Sequence, residues 1–288
     1  VTGRGLARFA ADPAHVLGLV LFAGIAVAAA FAPSVAALLG QDPALIDLMG
    51  RYEPPSASHP LGTDELGRDV LVRLLYGARV SLSVGLAGAL ASGTIGLAIG
   101  LLAAQAGGVV DALLMRLADG MTALPTLPIL ILFASIDPAS YGLPGESADL
   151  IRIVVLVSIF GWVREARLAR GVAIGLGRRD FVRAARGLGA SPARILLRHI
   201  GPAVLRPVLV ATTLSVGNVI LLESVLSFLG LGIRPPTPSW GNMLAGAQEM
   251  VFAAPLVAVW PGLAIFLTVV SVNLAGDGLA AALDPRTG

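Results

Sequence analysis

Six apolar runs dominate the chain, at residues 15–39, 81–104, 111–135, 150–163, 203–231 and 254–273. A helix needs about 20 apolar residues to cross the hydrocarbon core of a bilayer, so the pattern predicts six membrane-spanning helices. The fourth run is short and reaches spanning length when it is extended back through Ser147. The first lies where a signal peptide would. It is longer than one, and no small-residue cleavage site with a soluble domain follows it, so it is expected to be retained as a helix. Between the first two runs, Pro54, Pro55 and Pro60 mark an irregular loop. Arg68, Arg73 and Arg79 then interleave with Leu66, Val70, Leu74 and Leu75, a spacing that predicts an interfacial helix leading into the second run.

Composition narrows the class. Of 288 residues, 56% are hydrophobic and 13% charged, a balance that belongs to integral membrane proteins. Aromatic residues are only 5% while glycine and alanine abound, which suits helices packed through small side chains better than a barrel. The absence of cysteine excludes disulfides, thiolate metal sites and a cysteine nucleophile. All twenty basic residues are arginine, and loops rich in arginine tend to stay in the cytoplasm. With the N-terminus inside, Arg4, Arg8, Arg116, the ten arginines from Arg164 to Arg206, and Arg286 are cytoplasmic, fourteen in all. Arg51, Arg68, Arg73, Arg79, Arg152 and Arg234 are outside.

The densest basic segment, FVRAARGLGASPARILLRHIGPAVL at residues 181–205, sits between the fourth and fifth runs. Phe181, Val182, Ala185 and Leu188 recur at helical spacing beside Arg183 and Arg186. Gly189 is a backbone at which a helix can stop. Ser191 followed by Pro192 is a restart signal, a serine N-cap with proline at the first helical position. A second helix is expected from Pro192 to about Ile200, ended by Gly201 and Pro202. Physical chemistry leaves two uses for such a hairpin: adsorption to anionic headgroups through arginine and leucine, or docking to a soluble partner, favoured by the small residues Ala184 and Ala185 and by the specific turn.

The segment AARGLGAS followed by RHIGP resembles the EAA loop of bacterial ABC-importer permeases. Ala184, Ala185, Gly189 and Pro202 match that pattern; Arg183 stands where it has glutamate, His199 where it has isoleucine and Gly201 where it has leucine. Three further blocks, HPLGTDELGRDVLVRLLYGARVSL at 59–82, SFLGLGIRPPTPSWGNML at 227–244 and NLAGDGLAAALDPR at 273–286, resemble the dipeptide/oligopeptide/nickel permease family, C-type subunit. The resemblance implies an all-α polytopic membrane helix bundle of about six transmembrane helices with a cytoplasmic helix-turn-helix coupling loop. Its parts would be a cytoplasmic N-terminal segment (1–14), a first transmembrane helix and outer loop (15–80), a transmembrane core (81–277) that includes the coupling loop (164–202), and a cytoplasmic tail (278–288).

By that resemblance, the contacts with a separate ATPase would fall on Phe181, Arg183, Ala184, Ala185, Arg186, Gly189, Ala190, Ser191 and Pro192. The implied partners are a second homologous permease, two ATP-binding subunits or domains, an extracytoplasmic substrate-binding protein and the lipid bilayer, with no nucleic acid. The implied place is the bacterial inner membrane, with both termini cytoplasmic. The sequence has no Gly-x-x-x-x-Gly-Lys-Ser/Thr loop and no lysine to serve one, so no catalytic residue and no cofactor are expected in this chain; ATP and Mg would belong to the ATPase subunits.

Acidic residues within spans are costly and face a cavity, a cation or interfacial water. Asp119 lies near Arg116 and is expected to pair with it, whereas Glu223, beside Asn218 and Ser224, is expected with Asn218 along a substrate path. Gly88, Ser92, Gly96 and Gly100 form a small-residue stripe that suits close packing inside the bundle. Pro125, Pro128 and Pro261 are expected to bend their helices. His59, Asp64 and Glu65 read as shaping a turn, with no metal. The alternative function is an ion-coupled secondary transporter using Glu223 or Asp119, which calls for inverted repeats that are not visible in the sequence. A membrane enzyme would need reactive groups at membrane depth, and His15, His59 and His199 all fall near or outside the ends of the runs. Whether the cargo is a dipeptide, an oligopeptide, a metal chelate or another small polar solute stays open. Single cysteines in place of Arg178 and Pro236 are expected to react with an impermeant thiol reagent from opposite sides of the membrane; reaction from one side contradicts this topology.

Overall fold

The computed structural model describes residues 3–136, 146–248, 252 and 254–283, so Arg286 and the end of the tail lie outside the described residues. Among these, the architecture is helical, with a single isolated bridge between Thr63 and Asp69. α1 (Gly3–Ala11), α2 (Pro13–Ala30) and α3 (Ala32–Leu39) open the chain. Asp12 caps α2 by accepting from the Ala14 N–H, with Pro13 at the first helical position. α4 (Val70–Ala106) then runs 37 residues without a break.

The expected interfacial helix is the buried beginning of α4. Asp69 caps it, accepting from the Val72 N–H at 2.8 Å and lying 3.0 Å from His59 Nδ1. Arg73 is 3% exposed, 3.2 Å from Asp64, and donates to the Pro43 carbonyl. Asp64 also takes Arg68 Nε at 2.7 Å. These buried pairs hold the guanidinium groups of Arg68 and Arg73 inside the folded loop, away from headgroups.

α5 (Gly108–Ala123) and α6 (Thr126–Ala134) meet at 87°, at the Leu124–Pro125 break, as the prolines led us to expect. α7 (Glu146–Gly177) extends well past the apolar run that foretold it. α8 (Asp180–Gly187) and α9 (Pro192–Ile195) follow, and a π-helical turn (Leu196–Ile200) joins α9 to α10 (Gly201–Phe228). α11 (Trp240–Ala247) and α12 (Pro255–Leu283) end the described chain, with α12 continuing through Pro261.

The expected stop at Gly201 and Pro202 does not occur: Pro192–Phe228 is one 37-residue helical run. Proline inside an α-helix removes an N–H and crowds the carbonyl four residues back. Here the wider π turn, in which the Gly201 N–H bonds to the Leu196 carbonyl, relieves that crowding without ending the helix.

Among the described residues, four helical segments are long and apolar enough to cross a membrane (α2, α4, Pro192–Phe228 and α12), or five if the bent α5–α6 pair is one span. The fourth expected span, the one left over, corresponds to α7. Its 32 residues would reach about 48 Å, but Asp149, Arg152, Arg164 and Glu165 keep it from qualifying by hydropathy. α7 instead lies along α4, which packs also on α10. The small-residue stripe makes this approach possible. A Cβ on Gly96 would lie 2.6 Å from Glu165 Cβ and 2.7 Å from the Trp162 carbonyl, and one on Gly100 would lie 2.7 Å from Ala169 Cβ. The stripe therefore packs within this chain. At the other end of the bundle, the Ser239–Asn242 capping box starts α11 and seats Trp240 against Gly77, with its indole N–H donating to the Leu74 carbonyl at 3.0 Å.

Gly100→Val should separate α4 from α7 at an overpacking cost of about 1–3 kcal/mol, lowering the thermal midpoint of the detergent-solubilised chain. Gly175→Ala, where an added Cβ meets nothing within 4 Å, should leave it unchanged. Equal midpoints for both variants contradict the packing.

Candidate functional site

The hairpin formed by α8 and α9 is closed by two local devices. α8 ends in a Schellman motif, in which the Ala190 N–H donates to the Ala185 carbonyl at 3.0 Å and the Gly189 N–H to the Arg186 carbonyl at 2.9 Å. That pattern requires a left-handed residue, and Gly189 has φ +79°. Ser191 then caps α9, accepting from the Arg194 N–H, with Pro192 next. Both devices are those expected from the residues.

Burial divides the hairpin into two faces. Val182, Ile195 and Ile200 are buried in one cluster with Ala169 and Ala173 of α7 and Val204 and Val208 of α10, and Ala185, Ala190 and Leu196 pack partly against it. Phe181, Arg183, Ala184, Arg186, Gly189, Ser191 and Pro192 are exposed. The paired alanines thus part ways, Ala185 inward and Ala184 outward. Residues 164–177, counted in the expected loop, are the end of α7, so the hairpin stands on a rigid stem. Leu188, read from the sequence as part of the apolar helical repeat, is 89% exposed, and Leu197, which the sequence did not single out, is 74% exposed. They add apolar area to a basic face on which Arg183 is held only by an exposed contact with Asp180 at 3.7 Å. The Phe181 and His199 rings lie 6.5 Å apart.

Two cavities lie behind this face. One, of about 690 Å³ between α7, α10 and α12, is bordered by Arg164, Arg179 and Arg206 and by apolar residues such as Leu168, Val172 and Leu214. The other, about 180 Å³, lies among α4, α6, α7 and α10 and is lined by Ser92, Glu165, Ser215 and Asn218, with Arg164 shared by both cavities.

Asn218 and Glu223, expected together on one path, are separated. Glu223 has no exposed surface and lines none of these cavities. Ser227 Oγ donates to its Oε1 at 2.7 Å and Ser81 Oγ to its Oε2 at 3.0 Å, with Ser224 Oγ at 3.5 Å. The Trp240 N–H reaches Ser81 Oγ at 3.4 Å, so the carboxyl ties α10 to α4 and to the start of α11. Asp119 pairs with Arg167 at 2.8 Å and not with Arg116, because α5 runs against α7 at this level. Asp111 likewise takes a two-pronged contact from Arg170. Glu165, overlooked because it reads as part of a charged loop, is 2% exposed inside the bundle.

Residues 96–288 match the family described as binding-protein-dependent transport system inner membrane component. The oligopeptide transport system permease protein OppC of Bacillus subtilis (strain 168) is 35% identical over 279 residues, covering 97% of this chain and 88% of that protein. The glutathione transport system permease protein GsiD of Escherichia coli O6:K15:H31 (strain 536 / UPEC) is 43% identical over 81% of this chain and 74% of its own length. The nickel transport system permease protein NikC of Escherichia coli (strain K12) is 40% identical over 86% of each. A solved structure of the MetNI methionine ABC transporter, in inward-facing conformation, shares the fold with a TM-score of 0.57 at 16% identity, over 73% of this chain and 96% of that one.

Glu223→Ala would leave the Ser81 and Ser227 hydroxyls without their acceptor and open a void. It should cost about 2–5 kcal/mol, read as a lower thermal midpoint in detergent, while Glu223→Gln, which keeps one acceptor oxygen, should cost less. An alanine variant as stable as the parent chain contradicts the clasp.

Proposed function

Because the chain belongs to the family of inner-membrane components of binding-protein-dependent transport systems, and so is a permease component of an ABC importer, we propose that it forms half of a translocation path for peptides or similar small polar solutes. A separate ATPase drives it through the arginine-rich hairpin. The observation that carries this reading is the exposed face of the hairpin, with Phe181, Arg183, Ala184, Arg186, Leu188 and Pro192 outward on a turn that is fixed by its own backbone bonds and by a buried inner face. A segment held only by lipid would not need its backbone so closely specified, and its exposed glycine at positive φ lets a partner's surface approach the chain closely.

In this reading a second homologous permease supplies the other half of the path. Two ATP-binding subunits carry ATP and Mg, an extracytoplasmic binding protein delivers the solute, and both termini lie in the cytoplasm of a bacterial cell whose inner membrane holds the complex. The cargo class follows that of the relatives, permeases of oligopeptide, glutathione and nickel transport systems. Within this chain the path runs past Asn218, on the smaller cavity, and Arg164, which lines both cavities. Glu223 serves the path from behind, by fixing α10 against α4. Arg183, where the resembling pattern has glutamate, implies an acidic counterpart on this chain's own ATPase.

Co-reconstitution tests the reading. The chain alone should neither bind nor hydrolyse ATP, whereas the complex with both ATPase subunits, the second permease and the binding protein should take up solute when ATP is added. Gly189→Val, whose added side chain meets nothing within 4 Å in this chain, adds backbone strain of about 1–3 kcal/mol and obstructs the docking face. It should leave membrane insertion intact and weaken ATPase copurification or uncouple hydrolysis from uptake. Arg183→Lys with Arg186→Lys keeps the charge and loses two-pronged contacts, and should act in the same direction. Copurification and uptake at the parent level in both variants would overturn the docking role.

A further inference from the structure

The smaller cavity holds a pair of buried polar groups that the fold leaves unfinished. Glu165 and Ser92 are each 2% exposed, and Glu165 Oε2 and Ser92 Oγ have no hydrogen-bond partner within the protein among the described residues. Both line the same cavity, where Gly161 leaves room for the serine: a Cβ on it would lie 2.5 Å from Ser92 Oγ. Among the described residues Glu165 makes no ion pair, although Asp111 and Asp119 at the same end of the bundle are paired with arginines of α7. Leaving a buried carboxylate oxygen without a donor is costly. Arg164 borders the same cavity without hydrogen-bonding this oxygen, so among the described residues Glu165 Oε2 is left for a donor from outside the chain.

From these residues we infer that the cavity is a recognition site for the ammonium group of an amino-bearing solute. The inference deepens the permease reading and rests on Asn218 lying along the path. A primary ammonium carries three N–H donors and no acceptor. The orphaned Glu165 and Ser92 oxygens offer two acceptors, and the Asn218 side chain, exposed at the same cavity, offers a third. A bare divalent ion suits the site less well, because one carboxylate falls short of the six to eight oxygens that calcium takes and of the regular octahedron that magnesium demands. The volume of about 180 Å³ admits the amino end of a solute, compared with about 30 Å³ for each water molecule. Arg164, exposed and lining both cavities, disfavours a simple cation and favours a zwitterion, whose carboxylate it can take while the ammonium reaches Glu165. Charges of both signs are thus arranged along the head-to-tail direction of an unblocked amino acid or short peptide.

The test is equilibrium dialysis of radiolabelled glycine against the full chain in nanodiscs of phosphatidylcholine, with N-acetylglycine as the probe that lacks an ammonium. Glycine should be retained saturably and N-acetylglycine should not. Loss of one charge-assisted hydrogen bond should weaken glycine retention about tenfold or more in Glu165→Gln. Ser92→Ala, a small change at a buried hydroxyl, should weaken it in the same direction and guards against a misfolded glutamine variant. Equal retention of the two probes, or glycine retention unchanged by both substitutions, overturns the site. ATP-driven uptake by the complete transporter is a separate readout: its absence in the parent protein counts against the permease reading, while glycine retention still judges the cavity.

Discussion

The fold depends on how closely α7 can lie against α4. α7 carries Asp149, Arg152, Arg164, Glu165, Arg167 and Arg170, and a charged residue at the centre of a membrane helix costs about 2.5–3.5 kcal/mol on insertion scales. Such a helix does not stand alone in lipid. Gly96 and Gly100 remove the side chains that would keep the two backbones apart, and α7 uses the space to place its polar residues against protein. Its N-terminal end is then fixed by Arg152, which donates to the carbonyls of Ala134, Ile136, Leu231 and Gly232, and by the contact of Asp149 with Arg234 at 3.0 Å. Its C-terminal half is tied to α5 through Arg167 with Asp119 and Arg170 with Asp111. Glu165, between them, keeps one carboxylate oxygen without a hydrogen-bond partner among the described residues.

The same packing gives the hairpin its leverage. α8 buries Val182 on the ends of α7 and α10, and α9 passes through the π turn into the helical run that carries Asn218 and Glu223. In the proposed docking role, a displacement of the outward face would act on two long helices at once. Glu223 fastens α10 to Ser81 of α4 near the far end of that run, so in the proposed docking role α10 would be held at one end and pushed at the other, with the cavities lined by Arg164 between these two points.

What the sequence displayed was local chemistry. The turn at Gly189, the cap at Ser191 and Pro192, and the small-residue stripe could be read from a few neighbouring residues, and each appears in the structure as expected. What it concealed depended on distant partners. α7 looked like a short span because its apolar run stops at Val163, yet the helix continues to Gly177 once α4 shields it. Pro202 looked like an end because the π turn that accommodates it has no signature in residue type. Glu223 looked like a path residue, but three serines spread over α4 and α10 enclose it. Glu165 was hidden by its arginine neighbours, though the spacing of Trp162, Val163 and Ala166 around it, all buried, was a signal that this part of the charged segment still faces a core.

The central claim is that the outward face of the hairpin meets a protein and not the lipid surface. The chain has no cysteine of its own, so a single cysteine can report its surroundings without background. The most direct measurement places one at Ala184, on the exposed face, or at Ala185, on the half-buried inner face, attaches a photoactivated cross-linker in membranes that contain the assembled transporter, and identifies what is captured. The account predicts that Ala184→Cys captures the ATP-binding subunit in high yield and that Ala185→Cys captures residues of this chain. Capture of phospholipid alone from Ala184→Cys would contradict it.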